Sequence, residues 1–309
     1  MRNIQLLLAL VALFCTSVVT SAQDTLNRAL LWRLDVPGAP APSYLFGTIH
    51  LIDGEDFLLS DSLMQALNRS EQVVFEIDPG KMMDMGNAMG MMQMAMIPGG
   101  KSLRDLYTEE EYARVDKHFS EMGLPMMFME RIKPMFLSML ANMDMSDLSG
   151  MMGGAPADED AEGGEGMKSY ELELNKLATG ADKAVGGLET VDFQMSLFDS
   201  IPLDAQADML LEAIDNPEGA DALAEITKVY VTGDIEGMYR MSVGDEGGLG
   251  GHERTLIVNR NRNWVAPMLA HAATGPTLFA VGAGHLGGPE GVIRLLREKG
   301  VEVTALSVR

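Results

Sequence analysis

The stretch Tyr-Leu-Phe-Gly-Thr-Ile-His at residues 44–50 has the composition of a buried strand that ends in a glycine and a histidine. Leucines then follow at helical spacing between Leu59 and Leu67, with Ser60 or Asp61 as the helix cap, and the apolar run Val73–Phe75 comes next. A strand, a helix and a second apolar strand predict a β-α-β unit whose two strands are parallel and buried. The sequence therefore predicts an α/β fold.

The chain repeats this arrangement near its end, where the apolar run Thr277–Val281 leads into Gly282 and His285. A glycine allows the backbone to turn sharply at the carboxyl end of a strand, where open α/β sheets place their sites. Both histidines follow a strand at the same Gly-x-x-His interval, so His50 and His285 could converge on one ion. The alternative is that each histidine only bonds a nearby backbone carbonyl.

Two carboxylates also end apolar runs, Glu76 after Val73–Phe75 and Glu189 after Val185–Leu188. A carboxylate in so apolar a setting is costly unless it is paired or bound to a cation. Either glutamate could ligate a metal while the other acts as a general base. The alternative for Glu189 is that it caps the helix that follows.

Arg260 lies four residues from Leu256 and four from Trp264, which places it along the buried side of a predicted helix. A buried arginine needs a carboxylate or an anionic group of a substrate. The alternative is that Arg260 is solvated, as we expect for Arg262.

Bulk composition excludes several classes of protein. The 309 residues are 47% hydrophobic, which is enough for a full core and argues against a disordered chain. The formal charge of −22 disfavours binding to nucleic acid and to anionic lipid. Cys15 is the sole cysteine and lies in the N-terminal apolar run, so disulfides and thiolate metal sites are excluded for the mature chain.

The N-terminus has the features of a secretory signal peptide over residues 1–22. Arg2 precedes the apolar run Leu6–Val19, and small residues up to Ala22 offer a cleavage site. We therefore expect a periplasmic or secreted protein, with no membrane span in the mature chain and a single domain over residues 23–309.

Residues 82–152 hold 18 of the 26 methionines, and their spacing predicts a helical insertion at about 82–148, with helices over Met82–Met96, Glu109–Met122 and Met126–Met143. Such methionines are typical of an adaptable apolar core or groove. The alternative is a copper(I) store, because a thioether is a soft ligand. An acidic, glycine-rich loop is expected at about 149–167.

The sequence resembles the TraB/GumN family, which is related to the TIKI metalloproteases. The resemblance rests on five motifs in a fixed order, which are Leu45–His50, Val74–Asp78, Gly187–Thr190 with Gln194, Asn259–Asn261 and Val281–Leu286. It implies two related α/β halves that form a central sheet flanked by helices, with the methionine-rich helical insertion between them. Many relatives carry an aspartate shortly before the central helix, whereas this chain has none there, and the alternative is that Glu171 substitutes for it.

The resemblance also implies a hydrolase that depends on a divalent metal ion, with manganese, cobalt or zinc as candidates. Our hypothesis is that His50, Glu76 and His285 hold this ion, that Glu189 is the general base, and that Arg260, steadied by Asn261, stabilises the oxyanion formed from a peptide carbonyl. The predicted partner is a peptide or protein substrate. The alternative is a non-catalytic exported protein that binds a peptide or a glycan in the same cleft.

Overall fold

The computed structural model describes residues 28–82, 84–141, 166–215, 219–243 and 251–306. The strands of these residues are β1 (Leu31–Asp35), β2 (Ser43–Thr48), β3 (Ile52–Asp53), β4 (Gln72–Ile77), β5 (Met167–Lys168), β6 (Ala184–Glu189), β7 (Thr277–Gly282) and β8 (Glu302–Leu306). Six of them form a central sheet in the order β6-β4-β7-β2-β1-β8, while β3 pairs with β5.

The sheet is parallel in one part and antiparallel in the other. β7 is parallel to both β2 and β4, and β4 is parallel to β6, whereas β1 is antiparallel to β2 and to β8. The predicted parallel direction of β2 and β4 is confirmed, but β7 lies between them. Burial of every residue from Thr277 to Val281 suits this central position, because a central parallel strand is covered on both faces and both edges.

Helices flank the sheet, so the predicted α/β class is confirmed. Those of the described residues are α1 (Asp61–Arg69), α2 (Pro79–Met82), α3 (Met85–Ala95), α4 (Glu109–Glu121), α5 (Met126–Met129), α6 (Pro134–Leu140), α7 (Tyr170–Gly180), α8 (Val191–Phe198), α9 (Leu203–Asp215), α10 (Gly219–Val231), α11 (Ile235–Val243), α12 (Asn259–Thr274) and α13 (Val292–Glu298). A π-helical turn, Arg254–Val258, precedes α12, and a 3₁₀ turn, Ala283–His285, follows β7.

Helix α1 shows how the local sequence builds this layer. Of the two predicted caps, the structure selects Ser60, whose hydroxyl accepts a hydrogen bond from the Leu63 backbone N–H. Leu63, Ala66 and Leu67 form its buried face. Burying each leucine contributes roughly 1.5–3 kcal/mol, and the cap contributes roughly 0.5–2 kcal/mol.

The helical insertion shares a second hydrophobic core with α9, a helix that follows β6. α4, α5, α6 and α9 enclose a cluster that includes Val115, Phe119, Leu137 and Leu210. The predicted single helix over Met126–Met143 is wrong, because it is divided into α5 and α6. The division lies at Pro134, which has no backbone N–H and forces the preceding residue, Lys133, out of the helical conformation.

Several predictions fall on residues that the structure does not describe. These are the signal peptide at residues 1–22 with its cleavage site near Ala22, and almost all of the acidic loop at about 149–167. In the part of the chain that is described, no helix combines the length and the apolar character needed to cross a membrane.

Candidate active site

The carboxyl ends of four parallel strands meet at one edge of the sheet and carry the candidate residues. β2 and β7 are direct neighbours, with Gly47 opposite Val281 and Thr48 opposite Gly282. β4 and β6 place Glu76 and Glu189 at the same edge. This is the edge at which open α/β sheets form crevices for ligands.

The motif glycines are required for close packing rather than for a special backbone angle. Neither Gly47 nor Gly282 has a positive φ. A Cβ on Gly47 would lie 3.1 Å from the Ala283 Cβ, so a side chain at Gly47 would separate β2 from the 3₁₀ turn after β7. The expected sharp turn at glycine is therefore replaced by a close approach of the two histidine-bearing segments.

His285 is buried and held in one tautomer. Its Nδ1 is 2.6 Å from the Asn261 Oδ1, and the Asn261 amide donates to the backbone carbonyls of His285 and Glu290, which fixes the orientation of that amide. The Asn261 oxygen can only accept, so Nδ1 carries the proton and Nε2 keeps its lone pair. The ring also packs against Trp264, with 4.5 Å between the centroids.

The charge state of His285 follows from its surroundings. Burial is the main cause that lowers the pKa of His285, and the positive charges of Arg260 and His50 lower it further. The negative charge of Glu76 raises the pKa, but by less than the other effects lower it, and the pKa falls to about 3. The imidazole is therefore neutral at neutral pH.

Arg260 joins both carboxylates and His285. Its Nε and Nη2 donate to the two carboxylate oxygens of Glu189 at 2.9–3.1 Å, and Nη2 also donates to the Glu76 Oε2 at 2.5 Å. Nη1 donates to the Leu256 backbone carbonyl at 3.1 Å and to the His285 Nε2 at 3.2 Å. The arginine side chain is 8% exposed, so the predicted burial beside carboxylates is observed.

Glu76 is held as an anion. Its Oε1 accepts from the Gly282 backbone N–H at 2.8 Å, and its Oε2 accepts a long hydrogen bond of 3.4 Å from the Gln194 side chain. Burial alone would raise the pKa of Glu76, but the charge of Arg260 outweighs it. The charge of His50, the Gly282 N–H and, at the low pH where its imidazole is protonated, His285 act in the same direction, and the pKa falls to about 2.

His50 lies in a second hydrogen-bonded group. Its Nδ1 is 3.0 Å from the Glu171 Oε1, which also accepts from the Thr48 hydroxyl at 2.7 Å, while the Ser169 hydroxyl donates to the other oxygen at 2.9 Å. The hydrogen bond with Glu171 raises the pKa of His50, and the charge of Glu76 acts in the same direction. The His50 side chain is 78% exposed, so water screens these charges.

The structure thus brings Glu76, Glu189, Arg260, Asn261 and His285 into one connected network, and it places His50 in a pair with Glu171. Sequence reasoning named Glu171 only as a substitute for an aspartate of the relatives and gave it no role at the site. The available signal was its place in the first turn of α7, two residues after the Ser169 cap.

The donor atoms suit a divalent cation in their chemistry. Two imidazoles have Nδ1 engaged by an acceptor, which leaves Nε2 for a ligand, and an ionised carboxylate lies 3.9 Å from the His285 Nε2. Their arrangement is not a metal cage, because Arg260 donates to the other oxygen of the Glu76 carboxylate and to the His285 Nε2 itself. Accordingly, the described residues contain no group of three or more His, Cys, Asp or Glu side chains placed to hold a metal ion. A cation and Arg260 therefore compete for one lone pair on His285.

Comparison with known proteins identifies the family of this chain. The model of the TraB/PrgY/gumN family matches residues 30–305. The chain belongs to this family. It is also similar to metalloprotease TIKI2 of Danio rerio, with 22% identity over 335 residues. That match covers 91% of this chain and 61% of the relative, so the chain spans about three fifths of the relative's length. No solved structure matches the chain.

Proposed function

We propose that this protein is a divalent-metal-dependent hydrolase that cleaves peptide bonds. The observation that carries this proposal is the His285 Nε2 lone pair, oriented by Asn261 and placed beside the ionised Glu76 at the carboxyl edge of the sheet. Membership of the family and the similarity to a protein named a metalloprotease support the same reaction class.

His50, Glu76 and His285 would hold the ion, with manganese, cobalt or zinc as candidates. When bound, the ion would lower the pKa of a water molecule and polarise the substrate carbonyl. The absence of thiol ligands in the mature chain is compatible with all three metals. Glu171 would orient His50 and Asn261 would orient His285, as hydrogen-bond partners of metal-ligating histidines commonly do.

Glu189 and Arg260 would act together on the substrate. In the structure both oxygens of Glu189 accept from Arg260, so this carboxylate becomes available as a base only when the guanidinium turns away from it. An oxyanion that develops on the scissile carbonyl would attract the guanidinium. A single movement of Arg260 would then both stabilise the oxyanion and free the Glu189 carboxylate to accept a proton.

The second candidate is a non-catalytic protein that binds a peptide or a glycan at the same edge. One observation favours it, namely that the Arg260 guanidinium itself donates hydrogen bonds to Glu76, Glu189 and His285. A binder of this kind would keep its ligand after treatment with EDTA, whereas the hydrolase would lose activity.

Export to the periplasm or beyond also belongs to this proposal. It is supported by the N-terminal sequence with Arg2, the apolar run and the small residues before the expected cleavage site at Ala22. N-terminal sequencing of the protein recovered from a periplasmic extract would test it, and a retained Met1 would contradict it.

The test of the proposed reaction compares His50→Ala with His252→Ala. His50 is largely exposed, so its replacement should leave the fold intact, and His252 is a histidine without a predicted role. Metal content is measured by equilibrium dialysis against Mn²⁺, Co²⁺ and Zn²⁺, and hydrolysis is measured with a fluorogenic peptide library. We expect His50→Ala to lose metal and hydrolysis together, while His252→Ala keeps both. Hydrolysis that persists without metal would overturn the proposal.

A further inference from the structure

A cavity of about 310 Å³ lies on the same face of β2 as Phe46 and Thr48. Its walls include the aromatic rings of Phe46, Phe57, Tyr170 and Tyr230, and we refer to it as the aromatic cavity. Its volume is at the lower end of the range for ligand pockets, which is about 300–1,000 Å³. A single side chain or a small organic group is therefore the size of ligand that it suits.

The aromatic rings are held rigidly and their polar atoms are already paired. The Tyr170 hydroxyl donates to the Leu58 carbonyl at 3.2 Å and accepts from the Leu58 N–H at 3.1 Å, while the Tyr230 hydroxyl donates to the Gly47 carbonyl at 2.9 Å. The ring of Tyr170 packs against those of Phe57, at 4.5 Å, and Tyr230, at 5.8 Å. What remains for a ligand is apolar surface and the negative faces of the rings.

The cavity is also lined by two carboxylates. Glu55 and Asp56 are exposed, and within the described residues their side chains make no hydrogen bond or ion pair. The ammonium of Lys168 lies 5.5 Å from the Phe57 ring centroid, so this aromatic wall already accepts a cation. Two carboxylates against one lysine leave a net negative charge at the cavity.

The cavity adjoins the segment that carries His50. Tyr170 directly precedes Glu171, the partner of His50, and Tyr230 binds the carbonyl of Gly47, the first residue of the Gly-x-x-His motif. A ligand in the cavity therefore contacts the same two elements, β2 and α7, that position His50.

We propose that the aromatic cavity binds a basic side chain of the substrate, a lysine or an arginine, with its aliphatic stem on the rings and its charge near Glu55 and Asp56. A side chain that is apolar along its length and positive at its tip matches both kinds of wall. As a statement about substrate choice, this rests on the proposed hydrolase function, whereas binding to the cavity can be measured without turnover.

The experiment has a binding arm and a kinetic arm on the full-length mature protein. In the first, Nα-acetyl-lysine N-methylamide and its norleucine analogue, which lacks only the charge, are titrated and followed by NMR. In the second, kcat/KM is compared for two peptides that differ only by lysine or norleucine. We expect a preference for lysine of about tenfold in both arms.

The variant Glu55→Gln/Asp56→Asn removes the two carboxylate charges from exposed positions and should reduce the preference to about twofold or less. Asp208→Asn, an exposed acid on α9, is the matched control and should keep the full preference. Equal binding of lysine and norleucine probes would overturn the cavity assignment. Hydrolysis without a lysine preference would also overturn the cavity assignment, but the proposed hydrolase function would stand. Lysine-selective binding without hydrolysis would support the cavity assignment and refute the proposed hydrolase function.

Discussion

Replacing Arg260 with glutamine should destabilise the protein strongly, because it removes the shared partner of two buried carboxylates. The side chains of Glu189 and Glu76 are only 4% and 11% exposed. Arg260 makes three hydrogen bonds to Glu189 and one to Glu76, and glutamine can replace at most a fraction of them and none of the charge.

The size of the effect follows from the burial of the network. Breaking a buried ion pair by removing one partner costs about 3–5 kcal/mol, and here two anions lose the same cation. We expect a loss of about 4 kcal/mol in the free energy of unfolding at pH 7, which lowers the melting temperature by roughly 10 °C.

Arg262→Gln is the matched control. Arg262 lies on the same helix, α12, but its side chain is 49% exposed and pairs with Glu290 at the surface. The loss there should be at most about 1 kcal/mol. Urea unfolding followed by circular dichroism, with EDTA present so that no metal contributes, measures both variants.

A second measurement separates lost charge from lost packing. Without the charge of Arg260 the folded-state pKa of Glu76 rises, so the folded variant takes up a proton that the wild type does not. The penalty of Arg260→Gln should therefore shrink as the pH falls from 7 to 4.5. If the penalty is the same at both pH values, or if Arg262→Gln costs as much, the electrostatic account of this site is wrong.

Three further predictions concern single residues. Burial lowers the pKa of His285 from 6.5 to about 3, so the unfolded state binds the proton first and stability is lost as the pH falls below 6.5. The urea midpoint of the wild type should therefore drop between pH 6.5 and 5. For His285→Asn the midpoint should depend less steeply on pH. Glu171→Gln should lower the pKa of His50 measured by NMR titration, whereas Glu173→Gln on the same helix should not. Gly291→Ala should lower the free energy of unfolding by about 2 kcal/mol or more, because the added Cβ would lie 2.1 Å from a backbone oxygen. Gly180→Ala is the control, because a Cβ there has open space. Equal urea midpoints for the two variants would refute this prediction.

The local parts of the site could be predicted because they follow from burial patterns along single elements. The apolar runs before Glu76, Glu189 and His285 predict strands, and polar residues directly after such runs are expected at one edge of a parallel sheet. Asn261 was expected to steady Arg260, its neighbour on the same helix, but its side chain instead bonds to His285 and to the backbone carbonyl of Glu290. Adjacent residues of a helix do not face each other, which is the reason for this difference. The division of the insertion at Pro134 was missed, although Pro134 itself was the signal for it.

By itself, the sequence determined the α/β class, the strand-end positions of the candidate residues and the family, since these depend on short-range periodicity and on motifs in a fixed order. Only the tertiary structure decided that β7 lies between β2 and β4, that Arg260 bridges Glu76 and Glu189, and that His50 pairs with Glu171. These contacts join residues 71 to 184 positions apart. Their partners are selected by how whole helices and strands pack, and that packing is not encoded in any local pattern.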